Sequence, residues 1–171
     1  MARVPSVHWN ESVFRFNLVR HLLAQNPGLD CRTEWNRVDL AIQRPEGATL
    51  VELKFYAARP HHDHKGELVR FKGGPSPQNQ RELFASLDSL RFARRQAWAK
   101  QCGQIIDAYL VLVYLDPREP NRRRTFASYY DAIEAPNERV SRVWTVLRAT
   151  PTADGRLFTC KLLEVPLEPA A

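Results

Sequence analysis

The segment that constrains this chain most is Ile105–Leu115, IIDAYLVLVYL. A nearly continuous apolar run of strand length belongs to a central strand covered on both faces, so layers must pack above and below it. No run in the sequence approaches the roughly 20 apolar residues that a membrane-spanning helix needs. The N-terminus, Met1-Ala2-Arg3-Val4-Pro5-Ser6, lacks the apolar stretch of a secretory signal. The three cysteines, Cys31, Cys102 and Cys160, are widely spaced and form no Cys-x-x-Cys pair. That pattern argues against a disulfide framework and for a reducing compartment, so the expected location is the cytoplasm, with no membrane partner.

The elements around this strand can be read from periodicity. A first helix is expected from about Trp9 to Gln25, capped by Asn10 and ended by Asn26-Pro27-Gly28. Phe14, Leu18 and Leu22 form its apolar stripe, widened by Phe16, Val19 and Leu23. Alternating runs at Cys31–Trp35, Arg37–Gln43 and Thr49–Tyr56 read as strands, the last two joined in a hairpin by Arg44-Pro45-Glu46-Gly47. Residues 59–75 show no clear period and read as a long loop or flap. Ser76-Pro77 opens a second helix expected to reach about Gln101, with Phe84, Leu87, Leu90 and Trp98 among its apolar positions. After the central strand come a basic loop, a short helix at Ala127–Ala135, and strands at Val140–Ala149 and Arg156–Val165. The order is α-β-β-β-α-β-(α)-β-β, a single mixed α/β domain over residues 1–171, a length that suits one domain. Trp9, Trp35, Trp98 and Trp144 are expected in the core, and Cys31 and Cys102 as small core or near-surface residues.

Strand residues alternate between faces, which sorts the polar positions. Asp39 points away from Val38, Leu40 and Ile42, and Glu52 and Lys54 point away from Val51, Leu53 and Phe55. A four-residue loop at 44–47 pairs Gln43 with Ala48 and sets Asp39 directly opposite Glu52, with Cβ atoms roughly 5 Å apart. A three-residue loop with a bulged Gly47 would send the two acids to opposite faces. Two carboxylates that close need a cation between them, and Mg²⁺ or Mn²⁺ suits oxygen donors. Lys54 on the same face could then position or help deprotonate a water, or stabilise charge on a phosphate oxygen. Glu11 lies on the buried stripe of the first helix, where a glutamate needs a partner. It either faces this cluster or simply complements the helix dipole.

Asp39, twelve residues, then Glu52-Leu53-Lys54 resembles the motif of the PD-(D/E)XK nuclease superfamily, with Val38 where the naming proline would stand. The likeness spans roughly residues 9–116 and includes the acidic Glu11 on the preceding helix. It implies a restriction-endonuclease-like core, a mixed β-sheet flanked by helices in the order α-β-β-β-α-β, with residues 117–171 as C-terminal strand additions. It further implies Asp39, Glu52 and the Leu53 carbonyl as metal ligands, Lys54 as catalytic lysine and Glu11 as an accessory acid. Gln80-x-x-x-Phe84 is similar to the Gln-x-x-x-Tyr of the exonuclease branch, with Phe in place of Tyr.

Charge bears on the substrate. The net charge is +6, and residues 59–101 hold nine basic against four acidic residues, which places most of the excess there. Arg70, Lys72, Arg81, Arg91, Arg94, Arg95 and Lys100 lie in this stretch, and Arg122, Arg123 and Arg124 in a later loop. Such clusters neutralise phosphates without reading sequence. The expected activity is hydrolysis of DNA phosphodiester bonds. The alternatives are an RNA-directed nuclease, or a non-cleaving nucleic-acid-binding or complex-assembly module on the same fold. Cutting both strands needs two active sites or two successive nicks, so a homodimer or a partner protein is an expected assembly. His61-His62-Asp63-His64 holds metal-competent side chains, but adjacent ligands rarely wrap one ion, and a solvated loop is the plainer expectation.

Overall fold

The computed structural model describes residues 10–57, 59–62, 64–72, 76–115, 135–149 and 158–170. Its centre is a mixed six-stranded sheet in the order β1-β2-β3-β6-β8-β7, with a separate two-stranded β4-β5 sheet. The strands are β1 (Asp30–Trp35), β2 (Val38–Arg44), β3 (Gly47–Ala57), β4 (Arg59–His62), β5 (Leu68–Lys72), β6 (Ile105–Leu115), β7 (Arg142–Ala149) and β8 (Phe158–Glu164). Helices α1 (Glu11–Gln25) and α2 (Pro77–Arg91) accompany them. Among the described residues no helix is long and apolar enough to cross a membrane.

Strands β1, β2 and β3 form an antiparallel meander, and β3 then runs parallel to β6 after the crossover through α2. The apolar run at 105–115 is thus an interior strand between β3 and β8, as its sequence requires. Strands β7 and β8 extend the same sheet rather than forming a layer of their own. On one face Ala48, Leu50, Leu110 and Leu112 pack with Leu83, Leu87 and Leu90 of α2. On the other, Leu40, Ile42, Val51, Leu53, Val111 and Val113 lie against Phe14, Leu18, Val19 and Leu22 of α1.

Helix α1 starts where its cap predicts, with the Asn10 side chain accepting the Val13 N–H at 2.8 Å, and it stops at Asn26. Phe16 and Leu23 do not widen its buried stripe; Phe16 is 65% exposed. At 100° per residue, Phe16 sits about 160° around the helix from Leu18, so it cannot share the sheet-facing side. Trp144 is likewise exposed, because β7 is an edge strand with a neighbour on one side only. Cys102 and Cys160 are buried and Cys31 is half-buried, all three as free thiols.

Two larger expectations change. Helix α2 ends at Arg91 instead of continuing to Gln101, and two 3-10 segments follow, Ala93–Arg95 and Ala97–Cys102. The break turns Ala93, Ala99 and Cys102 inward and lets the Arg94 guanidinium grip the Ile105 carbonyl through two N–H groups, at 2.9 and 2.7 Å. A tertiary anchor has outweighed helical periodicity. The stretch read as a loop at 59–75 contains the β4–β5 hairpin, whose register slips between His61 and His62. That slip removes the regular alternation a strand reading would have needed. Residues 127–134 of the short helix expected at Ala127–Ala135 lie outside the described residues, as do the arginines 122–124 and Trp9, and Ala135 itself sits in a bend.

Candidate functional site

The β2–β3 register pairs Gln43 with Ala48 and Arg44 with Gly47, which tightens the turn to Pro45-Glu46. Continued by one pair, this register would set Asp39 across from Glu52. The ladder, however, stops at Leu40↔Val51, while β3 continues along β6 to Ala57. Beyond Val51 the two strands part, and neither Asp39 against Glu52 nor Val38 against Leu53 is paired.

In an antiparallel pair, the residue pairs that exchange hydrogen bonds alternate with pairs that do not. The turn-closing pair Arg44/Gly47 therefore puts the N–H and C=O of Val51, Leu53 and Phe55 on the β2 side. With β2 gone, side chains take those donors. Leu53 N–H donates to Asp39 Oδ2 at 2.8 Å, and Phe55 N–H donates to the Glu11 carboxylate at the start of α1. Two carboxylates thus continue the ladder in place of a strand. The Leu53 carbonyl faces the same gap.

Glu52 and Lys54 lie on the α2 face of β3. Lys54 Nζ donates to Glu52 Oε1 at 2.7 Å, and the Ser86 hydroxyl donates to the same oxygen at 3.3 Å. Asp39 and Glu52 are 15% and 14% exposed, enough to admit an ion or water and too little for bulk solvent to screen them fully. Arg15 donates from Nη1 to Asp39 Oδ1 at 2.9 Å and from Nη2 to Glu34. Four carboxylates (Glu11, Glu34, Asp39, Glu52) therefore meet two cations (Arg15, Lys54), a surplus of two negative charges when all are ionised.

No protein-family model, curated protein or solved structure matches the chain.

The surplus acts on the titrating groups. Burial and then the Asp39 charge push the Glu11 carboxyl above its ordinary value, with Glu52 adding to the rise against Lys54 and the Phe55 N–H. Burial alone would lower the Lys54 ammonium, but the Glu52 charge and hydrogen bond, with Glu11 and Asp39, outweigh it and raise the group. Lys54 is therefore an ammonium at neutral pH, suited to orienting an oxygen or balancing charge rather than to accepting a proton.

Among the described residues no three His, Cys, Asp or Glu side chains form a metal-holding group. A hard divalent ion needs fewer: the oxygen donors this stretch offers are the half-buried Asp39 and Glu52 carboxylates and the Leu53 carbonyl, with water for the rest.

The other expected residues spread out. Gln80 sits in the first turn of α2, about 120° around the helix from Ser86, so it is Ser86 that reaches Glu52. Arg91 pairs with Glu168 at 2.7 Å, and Arg95 reaches Pro169 O and Glu168. With Arg94 on the Ile105 carbonyl, these three arginines tie the C-terminal segment and the start of β6 to the helix. They lie where β3 begins: Ala48 N–H donates to Gln104 O, and Ala48 is about 20 Å from Lys54 along the strand. Arg81 and Lys100 are exposed. Arg70 and Lys72 are on β5, which follows β3 from the site's end of the sheet.

Sequence reasoning missed Arg15 and Ser86. Arg15 had a signal, because it stands four residues after Glu11 and so on the same helix face. Ser86 had none.

Proposed function

We propose that this protein is a divalent-metal-dependent nuclease acting on DNA, built on a restriction-endonuclease-like core. Asp39, Glu52 and the Leu53 carbonyl would hold Mg²⁺ or Mn²⁺, which when bound would polarise a phosphate oxygen and lower the pKa of a water. Lys54, an ammonium beside that position, would orient the water or balance charge growing on the phosphate. Glu11 would hold the strand open at Phe55. Gln80, half-buried in the first turn of α2, would orient a ligand or a water.

One observation carries the reading: Asp39 and Glu11 line β3 where β2 leaves it, beside the Glu52–Lys54 pair on the same stretch of strand, with a surplus of negative charge. A net-negative cluster on a chain of net charge +6 repels a phosphate by itself, and a bridging divalent cation reverses that. The meander β1–β3, followed past the β4–β5 hairpin by α2 and the parallel β6, supports the same core.

The test is incubation with plasmid, linear duplex, single-stranded DNA and RNA, with Mg²⁺, Mn²⁺ or EDTA. Metal-dependent cleavage lost in Asp39→Asn and Lys54→Ala is the expected result. No cleavage of any substrate, or full activity in both variants, sinks it. Preferred cleavage of RNA would keep the chemistry and change the substrate.

A second reading has its own support. Arg15 and Lys54 already balance Asp39 and Glu52, as in a structural ion-pair cluster, so a non-cleaving nucleic-acid-binding or assembly module is the alternative. Salt-sensitive binding without cleavage, or cleavage only with a second copy or a partner protein present, would favour it.

A further inference from the structure

We propose that Arg15 is the resident counter-ion of Asp39, and that a divalent cation binds by displacing its guanidinium onto Glu34. This rests on the metal-dependent reading above and names what regulates that site.

Both Asp39 oxygens are engaged, Oδ2 by the Leu53 N–H and Oδ1 by Arg15 Nη1. An ion ligated through Oδ1 meets a like charge at once, and in half-buried surroundings that repulsion is screened less than in water. The guanidinium has an exit. It is a rigid fork of five N–H donors, and its Nη2 is already on Glu34. Arg15 can therefore keep one carboxylate while giving up the other.

The backbone makes Glu34 available for this exchange. The β1–β2 ladder runs to Thr33↔Leu40 and resumes at Trp35↔Val38, leaving the rung between Glu34 and Asp39 open. Glu34 itself takes a left-handed backbone, φ 50°. Its side chain is 71% exposed, so a guanidinium moved onto it goes toward solvent and away from the gap. Metal affinity is then set by how Arg15 divides itself between a half-buried acid and an exposed one.

The experiment is Mn²⁺ binding by the full chain at pH 7.5 and low ionic strength, read from the electron paramagnetic resonance of free Mn²⁺. Wild type, Arg15→Gln, Arg15→Lys, Glu34→Gln, Asp39→Asn and the Arg15→Gln/Glu34→Gln double variant are compared. Arg15→Gln is expected to tighten binding about three- to fivefold, the factor a partly exposed ion pair supports. Arg15→Lys should stay near wild type. Glu34→Gln should weaken binding by a similar factor and do nothing in the Arg15→Gln background, since Glu34 acts only through Arg15. Glu34 is a surface side chain, so its variant keeps the test decisive if Arg15→Gln folds poorly. Mn²⁺ binding that is weaker or unchanged in Arg15→Gln, or unaffected by Glu34→Gln, overturns the displacement and leaves the metal reading standing. Absence of binding in every form, Arg15→Gln included, overturns both.

Discussion

Asp39 accepts the backbone N–H of Leu53 at 2.8 Å, a donor that one more rung of the β2–β3 ladder would have given to Val38. The acid that resembles a catalytic residue is thus also a piece of the sheet, and the two roles can be separated by substitution. Asp39→Ala leaves the Leu53 N–H without its acceptor and Arg15 without one of its acids, and should cost about 1–3 kcal/mol in denaturant unfolding. Asp39→Asn keeps a carbonyl for Leu53 and should cost less. Both should lose metal-dependent cleavage, so Asp39→Asn is the cleaner test of chemistry.

Glu11 sets a pH dependence. Its folded pKa lies above the ordinary 4.5, by burial and then by Asp39. A raised carboxyl stabilises the fold fully below the unfolded value and loses that contribution as pH rises through the folded value. Glu11→Gln keeps an oxygen for the Phe55 N–H and removes the charge. The variant should therefore be more stable than wild type at pH 7, with the difference closing below about pH 4.5. Thermal melts across pH 4–8 would show it, and a constant difference would refute it.

The arginines near the end of α2 should prove structural. Arg94→Ala strips two N–H donors from the Ile105 carbonyl and should cost about 1–3 kcal/mol of stability without changing the salt slope of DNA binding. Arg81→Ala, on the exposed side of α2, should leave stability within about 0.5 kcal/mol. If Arg81 meets a phosphate, that variant lowers the slope by about one unit. Fluorescence anisotropy at several salt concentrations measures both.

Gly47→Ala should be among the most damaging single-methyl additions. Gly47 has φ 144°, and a Cβ there would sit 2.4 Å from Gln104 O and 2.9 Å from Ile106 Cγ2. The next residue's N–H holds Gln104 O at 2.7 Å, so neither backbone can retreat without parting β3 from β6. Strain and clash together should cost at least about 2 kcal/mol, read as a fall in the denaturation midpoint.

How much of this was legible in the sequence varied with the range of the forces involved. The Asn10 cap, the Ile105–Leu115 strand and the Gln43–Ala48 pairing follow from local turn chemistry and period, and the structure keeps them. The end of α2 at Arg91 was hidden, because the break serves the bond from Arg94 to the Ile105 carbonyl, eleven residues beyond Arg94 and in another element. Phe16 was misplaced by counting apolar residues rather than angles. Glu52 and Lys54 were readable because strand alternation carries them, and Glu11 because helix angle does. Strand β2 breaks its alternation at Asp39, with Val38 packed on the α2 side and Leu40 and Ile42 on the α1 side, so the expectation that all three share one face fails. The counter-charge of Asp39 was not readable, since pairing Arg15 with Glu34 requires knowing how the end of β1 turns.

The stretch of β3 beyond Val51 has a partner strand on one side and ionisable side chains on the other. Amide hydrogen exchange at Leu53 and Phe55 therefore reports whether the Asp39 and Glu11 carboxylates hold those N–H groups, as well as the opening of the sheet. An ion that claims those oxygens would register in the protection of two backbone amides, before any substrate is present.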